Sequence, residues 1–123
     1  MKKDNRKTLA GKELVEKIIK AAEVKLAENI VTIDLREQHC SADWFIICQS
    51  DTTVQNRAIA DEITDSLSKE NTRPWHEEGL EDGRWVLIDF SDVVVHVMLP
   101  ELREYYDIES LWYEAKKTKY KEQ

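Results

Sequence analysis

The segment 84–99, RWVLIDFSDVVVHVML, constrains the fold more than any other stretch of the chain. Two runs of alternating side chains flank Ser91-Asp92, which predicts two antiparallel strands joined by a tight turn. With a short loop there, Phe90 opposes Val93, Ile88 opposes Val95, and Val86 opposes Val97. That face is wholly apolar and belongs against a core. The other face pairs Trp85 with Met98, Leu87 with His96, and Asp89 with Val94. A ribbon with one dry face and one bearing Trp, Asp, His and Met is a candidate contact surface. Nothing on it specifies catalysis.

The rest of the chain supplies layers for this ribbon. Leu14, Val15, Ile18, Ile19, Ala22 and Leu26 recur at helical spacing and predict an amphipathic helix over 10–28. VTIDL at 31–35 alternates as a strand, and a polar loop, 36–42, follows. WFIIC at 44–48 is a continuous apolar run, as in a strand covered on both faces. Thr52 with Gln55 forms a capping box, opening a helix with Val54, Ala58, Ile59, Ile63 and Leu67 on one side. Pro74 begins a short extended piece, and Glu81-Asp82-Gly83 marks a turn. Beyond the hairpin, Pro100 breaks the strand and 102–119 reads as a helix with Tyr106, Leu111 and Trp112 inward. The order α-β-β-α-β-β-β-α predicts a single α/β (α+β) domain, a mixed β-sheet with flanking helices. The domain spans 11–114, between flexible basic tails at 1–10 and 115–123.

Charge and cysteine usage narrow the partners. The chain of 123 residues carries a net charge of -7, unevenly placed. Residues 1–12 hold a balance of +4 and 114–123 a balance of +2, so 13–113 is at -13. Such a body repels phosphate backbones and favours a basic protein surface, so little direct nucleic-acid binding is expected. No apolar run approaches the ~18 residues of a membrane span, and no secretory signal is evident, which makes the cytoplasm the default. Cys40 and Cys48 are expected to be reduced, Cys48 as a small buried hydrophobe.

Catalysis needs convergent groups, and the sequence offers few. There is no P-loop, GxGxxG, GxSxG or HExxH motif. His39, Cys40, Cys48, His76 and His96 lack the paired spacing of a metal site, so neither metal nor cofactor is expected. A Cys48–His96 nucleophile pair conflicts with a dry thiol. Asp34, Asp43, Asp89 and Asp92 lie near strand ends, so a metal-dependent nucleotidyltransferase-like enzyme is the alternative to a binding protein. Yet no two acids stand at i and i+2 on one strand. The 49–52 loop, moreover, lacks the glycine of a phosphate cradle. A Trp opposite Met is more often core than contact, since indoles bury well. Asp89 and His96 on the same face favour contact, because a buried face rarely hosts both without partners.

These residues resemble the ribosomal silencing factors, also called iojap-like proteins. The matching pieces are DWFII (43–47), Glu78-Gly79, GRWVLID (83–89), DVVVHVM (92–98) and REYYDIESLW (103–112). They run in order from about residue 14 to residue 112. The resemblance implies a mixed α/β domain shaped like nucleotidyltransferases but lacking their catalytic motif, and hence no enzyme activity. It also implies binding to the large ribosomal subunit through ribosomal protein uL14. Such a factor sterically blocks joining with the small subunit and silences translation under nutrient limitation. Family contact residues correspond to Trp85, Asp89, His96 and Met98, with Glu78, Gly79, Arg103 and Tyr106 in further family motifs. The family also implies a homodimer in isolation. Where relatives often carry a glycine after the WFII strand, this chain has Gln49-Ser50, which weakens a nucleotide site further.

Overall fold

The computed structural model describes residues 8–120. Helix α1 spans Gly11–Val24, strand β1 Glu28–Asp34, strand β2 Trp44–Gln49, and helix α2 Thr53–Ser68. Strands β3 (His76–Glu78), β4 (Trp85–Asp89) and β5 (Val93–Met98) follow. Helix α3 (Pro100–Tyr106), a 3-10 turn (Ile108–Trp112) and strand β6 (Lys116–Lys119) complete the chain. The six strands form one mixed sheet in the order β3-β4-β5-β2-β1-β6. Its centre is the parallel pair β2–β5, and every other pair is antiparallel. No helix among the described residues is long and apolar enough to cross a membrane.

The hairpin forms in the predicted register. Trp85 faces Met98, Leu87 faces His96, and Asp89 faces Val94. The Phe90 N–H donates to the Val93 carbonyl at 2.8 Å, and Ser91 takes a φ of 82° to turn the chain. Asp89 Oδ1 accepts from the Ser91 N–H at 2.7 Å, so this carboxylate pins the turn as well as facing outward.

The two faces of the sheet carry separate cores. On one, α1 and α2 lie over Trp44, Ile46 and Cys48 of β2, Val86 and Ile88 of β4, and Val93, Val95 and Val97 of β5. Thr52 caps α2 by accepting from the Gln55 N–H at 3.0 Å. The Gln55 side chain does not complete a capping box; it reaches across to the Lys25 carbonyl and ties the two helices together. Ile59, Ile63 and Leu67 face the core as their spacing requires, but Val54, in the first turn of the helix, is 67% exposed. Cys48 is buried and free, and its burial pushes the thiol up to about 12, so it stays protonated and inert.

The second face departs from expectation. Instead of one helix over 102–119, the helix ends at Tyr106 and Asp107 caps it with a left-handed φ of 46°. The chain continues as the 3-10 turn and then as β6, antiparallel to β1, with Lys117 opposite Ile33 and Lys119 opposite Val31. Tyr106 and Leu111 therefore point outward rather than inward, and Trp112 is only half-buried. This strap, with α3, roofs Val31, Ile33, Leu35, Ile47 and Met98. Residues 115–120 are thus part of the sheet rather than a tail. At the other end, Thr8 Oγ1 donates to the Asn71 carbonyl and the Leu9 N–H to Thr72 Oγ1 at 2.8 Å. Residues 1–7 and 121–123, the remainder of the expected flexible tails, lie outside the described residues.

Candidate functional site

Alternation places a side chain on one side of a sheet, but the layer above decides whether it meets solvent. The strap covers β1, β2 and the far end of β5, and stops short of β3 and β4. Met98 is therefore fully buried and His96 is 5% exposed, so neither is an outward anchor as the sequence suggested. Trp85, Leu87, Asp89 and Val94 remain half-buried on the open half, bordered by exposed His76 and Glu78 on the edge strand β3. His76 Nε2 and Glu78 Oε2 lie 2.6 Å apart.

Trp85 stands where this open half meets the roofed core, and its neighbours fix its orientation. The indole Nε1–H donates to His96 Nδ1 at 3.1 Å. Tyr106 packs on its other side, with ring centroids 5.1 Å apart, and Tyr105 meets Tyr106 edge-on at 4.9 Å. An aromatic ridge of Trp85, Tyr106 and Tyr105 thus runs from the sheet to the outside of α3. Phe45 backs His96 at 4.9 Å and leans on Trp112 at 6.1 Å. Rigid aromatic groups of this kind lose little conformational entropy on binding and are the usual anchors of protein interfaces.

His96 serves as a support for Trp85. Because Nδ1 accepts the indole proton, the neutral ring carries its own proton on Nε2. Nε2 is buried without a hydrogen-bond partner among the described residues, as is Trp112 Nε1. Burial pulls the imidazole down to about 4. The unfolded chain therefore binds the extra proton first, so stability is present above pH 6.5 and lost as pH falls through about 4. Unfolding in urea at pH 7 and pH 5 is expected to show a loss of about 2 kcal/mol from this group. A pH-independent midpoint over that window contradicts the buried, neutral ring.

Arg103 and Gly79 each have a structural role. Arg103 is 9% exposed, and its guanidinium donates to both carboxylate oxygens of Glu109 at 3.1 Å, to the Asn29 carbonyl at 2.7 Å and to Gln49 Oε1 at 3.1 Å. It latches the strap to β1 and β2. Gly79 adopts a φ of 79°, and a Cβ there would lie 2.0 Å from the Trp85 carbonyl oxygen. The glycine lets the 79–83 turn pass directly beneath the indole's own backbone.

The four acids that a metal-dependent transferase would use lie at one end of the sheet, where the Asp43 N–H donates to the Asp92 carbonyl at 2.8 Å, but the carboxylates of Asp34, Asp89 and Asp92 are engaged separately. Asp34 is held by Arg36, whose guanidinium lowers the carboxyl to about 2. Asp92 Oδ2 accepts from the Gly11 N–H at 3.0 Å, and Asp89 is occupied by its turn. Among the described residues no three of His, Cys, Asp or Glu stand together as a metal-binding group. Sequence reasoning named the tryptophan but passed over Leu87 and Val94 as contact residues, although their parity was visible. It gave no signal for Trp75, which is 81% exposed beside β3.

Comparison with known proteins accounts for this arrangement. A family model described as ribosomal silencing factor during starvation matches residues 8–123. The ribosomal silencing factor of Halalkalibacterium halodurans is 36% identical over 107 residues, covering 87% of this chain and 92% of that protein. That of Bacillus subtilis is 40% identical over 95 residues, covering 77% of this chain and 80% of the other. A solved structure from Chromobacterium violaceum superposes with a TM-score of 0.82 at 36% identity, covering 85% of this chain and 87% of that one. With most of both chains matched at these identities, the chain belongs to the ribosomal silencing factor family.

Proposed function

We propose that this chain binds the large ribosomal subunit through ribosomal protein uL14 and blocks joining with the small subunit by its bulk. Translation would thereby be silenced under nutrient limitation, in the cytoplasm where the subunits meet. The observation that carries this reading is Trp85, half-buried and fixed between His96 and Tyr106 where the uncovered half of the sheet meets the roofed core. Leu87 and Val94 supply apolar area beside it, and Asp89 and Glu78 supply negative charge suited to a basic ribosomal protein. The mechanism needs no turnover; occupancy and residence time set its strength. A nucleotidyltransferase reading gains no support from Asp34, Asp89 and Asp92, whose carboxylates are engaged by Arg36, the Ser91 N–H and the Gly11 N–H. In the free chain the same apolar strip is suited to pairing with a second copy.

Trp85→Ala is expected to weaken binding to purified large subunits by about 2 kcal/mol, or roughly 30-fold. Co-sedimentation in sucrose gradients measures this, with circular dichroism confirming that the variant is folded. Wild-type affinity in the folded variant removes this face from the interface. Light scattering over a concentration series reads whether the same substitution changes self-association.

A further inference from the structure

We infer that the β6 edge of the sheet is a second binding surface, which takes the phosphodiester backbone of RNA. The acidic body gave reason to expect little nucleic-acid contact, but the fold concentrates basic side chains where the sequence placed a loose tail. Strand β6 is fully exposed along Lys116, Lys117, Thr118 and Lys119. Lys116 points to the helix side, where Lys12, Arg36, Thr32 and Thr118 line a groove of ≈ 200 Å³. Lys117 and Lys119 point to the strap side, where Lys119, Arg103, Gln49 and Asn29 line a larger groove of ≈ 800 Å³. Half-buried Tyr120 borders both grooves.

The acids within these grooves are largely spoken for. Asp34 is paired with Arg36 at 2.6 Å and Glu109 with Arg103 at 3.1 Å, which leaves Glu16 as the acid on the helix side with no ion pair among the described residues. Lys116 and Lys119 form no ion pair among the described residues, and Lys117 Nζ donates to the neutral Trp112 carbonyl at 2.6 Å. The backbone adds donors. The Tyr120 N–H donates to the Ile30 carbonyl, so by alternation the N–H groups of Lys117 and Lys119 face solvent. Lysines two apart on a strand stand about 6.7 Å from each other, a spacing suited to successive phosphates on an extended strand. Tyr120 provides a ring against which a base can stack. Edge lysines also discourage strand pairing between molecules. That role alone requires neither the second cluster of Lys12 and Arg36 nor the grooves. An RNA source is favoured over an acidic polypeptide because the family works on ribosomes; in this respect the inference rests on the function proposed above.

Fluorescence anisotropy with a labelled uridine RNA of about 20 nucleotides tests the inference on the full chain. If three phosphates are engaged, affinity falls about 20-fold between roughly 50 and 200 mM salt. Lys116→Gln/Lys117→Gln/Lys119→Gln is expected to bind at least about 10-fold more weakly at low salt and to reduce the salt slope by about 2. Lys116→Gln/Lys119→Gln, which keeps the Lys117–Trp112 bond, guards against a misfolded strap and is expected to lose most of the same affinity. Unchanged RNA affinity in both folded variants overturns the inference. So does displacement of the RNA by polyglutamate as readily as by unlabelled RNA. Trp85→Ala should bind RNA like the wild type, while the lysine variants bind isolated uL14 like the wild type. Failure of the docking face and failure of the β6 edge therefore show as different losses.

Discussion

Gly79→Ala is expected to cost the native state about 3 kcal/mol and to shift its urea midpoint far below that of the wild type. Two penalties combine. A φ of 79° is a conformation that alanine adopts only under strain of about 1 kcal/mol. The larger penalty is steric, because the new Cβ would overlap the Trp85 carbonyl oxygen at 2.0 Å. Both groups are close to backbone, so no rotamer change relieves the overlap. The 79–83 turn, closed by the Gly83 N–H to the Gly79 carbonyl at 2.8 Å, must move away from β4 instead. Gly11→Ala is the control. Gly11 also has a positive φ, 62°, but its Cβ would meet only the Trp44 ring at 3.9 Å, so the strain of about 1 kcal/mol stands alone. Equal midpoints for the two variants contradict the close approach. Backbone geometry beneath the tryptophan is then a sufficient reason for a glycine at position 79.

Arg103→Met is expected to destabilise the fold by about 3 kcal/mol, measured by urea unfolding. Methionine keeps most of the apolar stem but leaves Glu109, which is largely shielded from solvent, without its counter-charge. It also strips a donor from the Asn29 carbonyl and from Gln49. The double variant Arg103→Met/Glu109→Met is expected to recover much of the loss, since removing both charges leaves no orphaned carboxylate. A single variant within about 0.5 kcal/mol of the wild type would show that the strap is held elsewhere.

The hairpin was legible to the residue because its register follows from two rules, alternation and a short turn, both of which act within sixteen residues. The Thr52 cap and most of the apolar faces of α1 and α2 were legible for the same local reason, although α1 ends at Val24, which leaves Leu26 75% exposed. The strap was not. Its sequence from Leu102 onward is rich in good helix formers, and nothing local marks Asp107 as a left-handed residue or Lys116–Lys119 as a strand. That strand exists because β1, over eighty residues earlier, offers it an unpaired edge. The same gap explains the candidate site. Parity put Trp85, Asp89, His96 and Met98 on one side, and it was right about the side. It carried no information on the roof, which leaves the first two open and buries the others.

The strap has one more physical consequence. With α3, its inner surface completes a core, while the outer surface displays Leu111 and Tyr113, with Tyr105 next to the proposed docking face. Any molecule that grips this native surface and ignores the unfolded chain stabilises the whole domain by mass action, by about 2.7 kcal/mol at a hundredfold excess over its dissociation constant. An engaged copy is thus harder for proteases to digest than an idle one. Cellular abundance of the protein would then follow the supply of its partner, with no dedicated degradation signal.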